Sequence, residues 1–299
     1  MIRRTVMSTV AIRKSDSRER GLLDALEMLG GLRRFVDGKR VFVKVNLCLA
    51  RAPETGGTVD PEVLAVLLKE CRRCGADELV VGDGSAVEMA TVLKVNPVQQ
   101  VAEAHGAKFV DLDAEPHSRV RLKRGLILDG LVLADRVLAA EAVINLAKMK
   151  THGVATVTLS MKGLMGCVLG GGEEVRGGYR WWDVSDRRKF HTKDIHKAIV
   201  DLNTLVTPAL NIVDGFLAQE GDSPFHGLTV PLHAFVAGAD RVAADATCCR
   251  LMGIRPETIG HIALGEQAGL GTMKPATVGD DVAALVRPFS LPGKPTPHR

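Results

Sequence analysis

Short apolar runs of strand length alternate along the chain with stretches whose apolar positions recur every three to four residues. Residues 40–47, RVFVKVNL, form a Val-rich run that predicts a strand. After the loop CLARAPETGGTV comes DPEVLAVLLKECRRCG, whose helical spacing buries Val63, Leu67 and Cys71. Asp60 suits the cap of that helix, Pro61 its first turn and Gly75 its stop. ELVVGDG (78–84) predicts a short buried strand, NPVQQVAEAHG (96–106) a helix and AKFVDLD (107–113) a strand. This alternation predicts an α/β fold: a mostly parallel sheet flanked by helices.

The second half continues less regularly. A helix over 194–206 is followed by strands at 209–215 and 233–240, then by helices at 241–253 and 256–269. The expected organisation is a single α/β domain over 1–285, with room for lobes at about 1–140 and 141–285 and a cleft between them. Residues 286–299, rich in Pro and polar groups, are expected to be a peripheral or disordered tail.

The pattern changes character between residues 144 and 167. Counted by twos, Ile144, Leu146, Lys148, Lys150 and His152 share one strand face, apolar at its start and cationic at its end. Residues 156–162 also alternate, yet Met161, Leu164 and Met165 fit a helix equally well, and periodicity leaves both readings open. Ammonium groups are not buried without partners. The lysines therefore either reach solvent past a strand end or face an anion such as a carboxylate or phosphate. Asp83, Asp214 and Asp240 each sit beside glycine at the end of an expected strand, where open α/β sheets bind ligands. Turn chemistry is the alternative for each of them.

Residues 163–178, GLMGCVLGGGEEVRGG, hold seven glycines in sixteen positions. Backbone amides at Gly170 and Gly171 are candidates for cradling an anionic cofactor, although the run fits neither common nucleotide-binding signature. A lid is the other reading. His152, His191 and His196 provide three imidazoles, and Asp214 and Asp245 provide carboxylates. Two His and one carboxylate form a ligand set for iron, and imidazole also suits nickel or zinc.

Composition narrows the classes. Charged residues make up 25% and aromatics 4% of the chain, and the net charge of +4 is mild. A stacking platform for nucleic acid and a polyanion partner are not expected. No apolar run reaches membrane-span length and the start lacks a signal-peptide core, so a cytoplasmic protein with no membrane partner is expected. The six cysteines then read as reduced thiols, with CRRC (71–74) inside a helix pattern.

Several blocks together resemble the domain of unknown function 362 family. They are VFVKVNL, GGTVDPEVL, GADELVVGDG, VINLAKMKTHGVATVTLSMKGLMG, a downstream FH, LNIVDGFLAQEGDSPFHG and RVAADATCCRLMG, spanning about residues 41–253. By position the resemblance implies roles for Lys44, Asn46, Lys148, Lys150, Thr151, His152, Lys162, Gly166, His191, Asp214, Glu220 and Asp245. Relatives often have Lys-Asn where this chain has Lys162 and Gly163, and Gly-Pro around Ser223. Many relatives carry an appended ferredoxin-like cysteine module and an iron–sulfur label; this chain has no such module, and an iron–sulfur cluster is not expected.

The lysine–histidine block is also loosely similar to the lactate racemase family, whose members hold a nickel pincer cofactor using Lys and His. Three readings follow. The first is a metal-dependent oxidoreductase or isomerase, using iron or nickel, that holds a small anionic metabolite. Lys148, Lys150, Lys162 and His152 would be its catalytic groups. Lys44, Asn46, Gly166, Gly170 and Gly171 would bind the cofactor, and His152, His191, His196, Asp214 and Asp245 the metal. The second is an anion- or nucleotide-binding module without chemistry, and the third an iron–sulfur electron carrier.

Overall fold

The computed structural model describes residues 8–170, 175–176, 179–180 and 186–293. Its strands in chain order are β1 (Thr9–Lys14), β2 (Arg40–Lys44), β3 (Glu78–Asp83), β4 (Lys108–Asp111), β5 (His117–Arg121), β6 (Gly130–Ala134) and β7 (Ala142–His152). There follow β8 (Thr156–Thr158), β9 (Val175–Arg176), β10 (Tyr179–Arg180), β11 (Leu210–Glu220), β12 (Leu228–Val230), β13 (Ala234–Gly238) and β14 (Ala276–Gly279). Ten of them build one sheet in the order β14-β1-β13-β11-β7-β2-β3-β4, with β12 attached to β11 and β8 to β7.

The pairs β11–β7, β7–β2, β2–β3 and β3–β4 are all parallel. Such strands are covered on both faces, which explains their nearly unbroken apolar runs. Side chains of β7 alternate between two aliphatic layers. Val143, Ala147 and Met149 enter one with Val213 and Val236, while Ile144 and Leu146 enter the other with Ile212 and Phe235. The fold class is thus the expected mostly parallel α/β arrangement.

β1 runs between β13 and β14, so the first strand completes the C-terminal side of the sheet. The sheet is continuous across the chain near residue 140. Residues 287–290, within the stretch expected to be a peripheral or disordered tail, are held against the rest of the chain. Phe289 is buried, its amide donates to the Met252 carbonyl, and Arg287 pairs with Glu220.

Helix ends follow the capping signals. Asp60 caps the helix Pro61–Arg73 by accepting from the Glu62 amide, and Asp194 caps the helix Ile195–Leu205 by accepting from the His196 and Lys197 amides. The ambiguous stretch after His152 divides in two. β8 turns back against the end of β7, pairing Thr158 with Lys150, and a single helical turn, Ser160–Gly163, follows.

The parallel strands β2, β3, β7 and β11 all finish at one edge of the sheet. β7 outruns β2 there, and β11 shifts register between Asp214 and Gln219 to stay beside it. That overhang carries Lys150 and His152 beyond the sheet core. β13 runs antiparallel to β11, so its end lies at the opposite edge. Asp240 accordingly has no part in the shared ligand edge and caps the helix Arg241–Leu251.

Candidate active site

A cavity of about 390 Å³ opens at the carboxyl edge of β2, β3 and β7. Asn46, Lys150, His152, Lys162, Gly166 and His191, all singled out in the sequence, line it. Asp83, Thr158 and Arg187 add polar groups, Cys48 a thiol, and Leu49, Val154, Met165 and Phe225 apolar wall.

The lysines of the opening pattern have three separate fates. Lys148 stands opposite Asp214 in the β7–β11 register and is shut away with it, Nζ to Oδ2 at 2.7 Å. It does not line the cavity, which corrects its expected catalytic place: a buried ammonium held by a buried carboxylate is a structural pair. Lys150 reaches the cavity wall, where its Nζ donates to Gly57 O at 2.6 Å, Asn46 Oδ1 at 2.9 Å and Cys48 Sγ at 3.3 Å. Those three acceptors are uncharged side-chain and backbone groups, so Lys150 adds positive potential to the site.

Lys162, on the helical turn after β8, has no hydrogen-bond or ion-pair partner among the described residues. Burial pushes its ammonium down to about 8, and the charges of Lys150, Lys44 and Arg187 act in the same direction. An amine in that state is divided between base and acid near neutral pH.

His152 is held in one tautomer. Its Nδ1 accepts from the amides of Val154 and Ala155, both at 3.1 Å. The remaining nitrogen, Nε2, therefore carries the proton of the neutral ring. Burial, followed by the charges of Lys162 and Lys150, holds its pKa far below the ordinary imidazole value, so the ring stays neutral. His152 is a neutral donor at the cavity wall. His191 lines the same cavity, and burial and Lys162 lower its pKa too.

Lys44 lies behind the wall. Its Nζ meets Asp83 Oδ1 at 2.7 Å and donates to the Val45 and Gly163 carbonyls. Asp83 also accepts from the Leu47 and Gly84 amides. Burial works to raise this carboxyl, and Lys44 and the Leu47 amide work against it. A Cβ at Gly166 would stand inside the Asp83 carboxylate. Glycine there lets the backbone close over the ion pair, a role different from cofactor binding. Gly170, unlike Gly166, does not line the cavity. Its amide donates to Asp113 at 2.8 Å, and a Cβ would enter the Arg187 guanidinium that pairs with Asp113. Gly171 lies outside the described residues.

The expected metal set does not come together: His152 and His191 line the cavity, and the other members are engaged away from it. The Nδ1 lone pair of His152 is taken by two amides and its Nε2 carries the proton. Asp214 is neutralised by Lys148. Asp245 caps the Ser160 turn, accepting from the Ser160 and Met161 amides at 2.8 and 2.9 Å, while burial raises its carboxyl to about 7. His196 stacks on His261, with ring centroids 5.3 Å apart, and its Nδ1 accepts from the His261 amide. Among the described residues no three His, Cys, Asp or Glu side chains form a group able to hold a metal. The cysteines are dispersed as well: Cys71 and Cys74 pack in the layer containing Ile144, and Cys167 in the layer containing Met149.

Two wall residues carry little sequence signal. Thr158 is 3% exposed and its hydroxyl has no hydrogen-bond partner among the described residues. Its place in an alternating strand does not distinguish it from Thr156. Arg187 is one of several cations in the run DRRKFHTK and is buried against Asp113, Ser85 O and Val168 O.

Comparison with known proteins adds the lineage. A family model described as Domain of unknown function (DUF362) matches residues 41–250. The chain belongs to this family. A thylakoid-associated protein of a Synechocystis species is 29% identical over 283 residues, covering 89% of this chain and 81% of that protein. Among solved structures, the lactate racemase apoprotein of Thermoanaerobacterium thermosaccharolyticum aligns with a TM-score of 0.52 at 16% identity. The alignment covers 82% of this chain and 57% of the racemase, so this DUF362 chain spans little more than half the racemase's length. That likeness is one of fold. No helix among the described residues is long and apolar enough to cross a membrane.

Proposed function

We propose that this DUF362 protein is an acid–base enzyme of the isomerase class, moving a proton on a small organic anion held in the cavity. The observation that carries the reading is Lys162, an amine on the cavity wall without a partner among the described residues, lowered to about 8 by burial and neighbouring cations. A base poised near neutral pH can both take and return a proton.

The surrounding groups support the same chemistry. Lys44 is matched by Asp83 and Arg187 by Asp113, leaving Lys150 and Lys162 to set a positive cavity that favours an anion. The neutral His152, with its proton on Nε2, can donate to an oxygen on which negative charge builds up as a neighbouring C–H loses its proton. The thiol of Cys48 and the amide oxygen of Asn46 hold Lys150 in place. The likeness in fold to a racemase is compatible with this class. Of the expected iron or nickel ligands, Asp214, Asp245 and His196 are engaged away from the cavity, and no step is assigned to a metal.

The test is solvent isotope exchange. The protein is incubated in deuterated water with a panel of 2-hydroxy and 2-oxo acids, and loss of the carbon-bound proton next to the carboxyl or carbonyl group is followed by NMR. Wild-type protein exchanges at least one of them, and Lys162→Met lowers the rate by about 10²–10⁴, the usual worth of a positioned base. Absence of exchange across the panel, together with a Lys162 that titrates like a solvent-exposed lysine, refutes the reading.

A further inference from the structure

Three features of the cavity go beyond a site for proton transfer. Its wall is divided chemically, with the cations Lys150 and Lys162 on one side, beside the Arg187–Asp113 and Lys44–Asp83 pairs, and Leu49, Val154, Met165 and Phe225 as an apolar side. Val154 and Phe225 are 59% and 48% exposed, so that side continues to the protein surface. The hydroxyl of Thr158 is buried at the wall with no partner among the described residues, although a buried hydroxyl is ordinarily hydrogen-bonded. Finally, Lys162 offers a primary amine with no internal acceptor among the described residues, in contrast to Lys44, Lys148 and Lys150, which are each anchored.

From this arrangement we infer that Lys162 condenses with the carbonyl of a 2-oxo acid bearing an apolar side chain, holding it as a protonated imine. The carboxylate of such a ligand suits the cationic side and the idle Thr158 hydroxyl, and its side chain suits the apolar side. The cavity volume of about 390 Å³ accommodates a branched or aromatic acid with space beyond what a three-carbon acid fills.

The step balances without any further reagent. The amine nitrogen of Lys162 bonds to the carbonyl carbon and the carbon–oxygen double bond breaks. The oxygen leaves as water with two protons from the ammonium, so the nitrogen keeps one proton and the positive charge. His152 assists from Nε2–H by a hydrogen bond to the departing oxygen. The iminium draws electrons from the adjacent C–H bonds and acidifies them. Because the Lys162 nitrogen is then bonded and charged, the carbon-bound proton passes to the neutral imidazole of His191 on the same cavity wall. The inference rests on that reading of the site and names its substrate class.

Support also comes from reactivity. At pH 8 an amine of pKa about 8 is roughly a hundredfold richer in free base than an ordinary lysine of pKa 10.4. Lys162 should therefore outcompete the lysines of the surface for a carbonyl.

The experiment is reductive trapping of the full chain. The protein is incubated at pH 8 with 4-methyl-2-oxopentanoate or with pyruvate, treated with sodium borohydride, and analysed by intact mass and peptide mapping. One adduct is expected, equal to the acid less one oxygen and located at Lys162. The branched acid should label about tenfold better than pyruvate, the factor that burial of one or two methyl groups provides. Lys162→Arg, checked for folding by its thermal midpoint, should lose the adduct.

Because the map locates the adduct on wild-type protein, the result does not depend on that variant folding. Adducts spread over surface lysines, or equal labelling by both acids, overturn the inference. Deuterium exchange without trapping at Lys162 removes the imine and leaves the proton-transfer reading. Trapping without exchange does the reverse: the covalent site stands and the isomerase reading falls.

Discussion

Lys148 Nζ lies 2.7 Å from Asp214 Oδ2 across two neighbouring parallel strands, with both side chains closed to solvent. The second oxygen of Asp214 accepts from the Phe216 amide at 2.8 Å, at the point where β11 shifts register. The pair thus fixes the irregularity that keeps β11 beside the overhang of β7.

Removing one partner leaves the other charge buried. Lys148→Met and Asp214→Asn should each lower the unfolding free energy by about 3–5 kcal/mol. The double variant Lys148→Met/Asp214→Asn should cost clearly less than the sum. Urea denaturation of the three variants measures both the cost and the coupling, and full additivity would contradict a direct pair.

Lys162 should leave a signature in the dependence of stability on pH. Its folded-state pKa of about 8 lies below the unfolded value, so the unfolded chain binds the extra proton between about pH 8 and pH 10.5. Stability contributed by this group therefore rises as pH climbs through that window. Lys162→Met should remove the rise and stabilise the protein at neutral pH by on the order of 1–3 kcal/mol. Thermal midpoints of both proteins from pH 7 to 10 check this.

Acid should act through two buried imidazoles. Burial, His196 and Lys162 lower His261 to about 3, and His152 is displaced in the same direction. Both are neutral in the native state, so stability declines as pH falls below the unfolded histidine value of about 6.5. Asp245, raised to about 7, binds its proton in the same range and opposes the decline. Denaturation of His261→Leu between pH 7 and 5 should show a shallower loss than wild type. Nitrogen-15 NMR should find His152 in the Nε2–H form down to pH 5, and a charged ring there would contradict the assigned tautomer.

Gly166→Ala tests the closure over the Lys44–Asp83 pair. The added methyl would occupy the position of the Asp83 carboxylate and crowd Lys44 Cε, both held in the buried pair. The variant should lose on the order of 3 kcal/mol or more, or fail to fold, since separating a buried pair and overpacking a core act together. Gly153→Ala, with open space around its Cβ position, is the control, expected within about 0.5 kcal/mol of wild type.

Much of the framework was legible in the sequence because it rests on short-range rules. The Val-rich runs at 41–43 and 79–81 are buried parallel strands, and Asp60 and Asp194 cap the helices that their positions announced. Counting residues 144–152 by twos placed Ile144 and Leu146 in one layer with Lys148 and Lys150 further along the same face. The first strand, β1, was not legible, because its partners β13 and β14 lie more than two hundred residues away.

The sequence by itself determined that cations gather at the end of β7, since alternation along a strand is a property of the local backbone. It could not determine which cation is free to react. Lys148 is neutralised by a carboxylate 66 positions later, and Lys150 is fastened to Asn46, 104 positions earlier. His152 has its Nδ1 engaged by two amides of its own turn. Lys162 is left without such a partner among the described residues, at a cavity wall that exists only when β2, β3 and β7 end together. Charge pairing and desolvation depend on distance in space, and the register of β7 and β11 and the meeting of those strand ends set that distance.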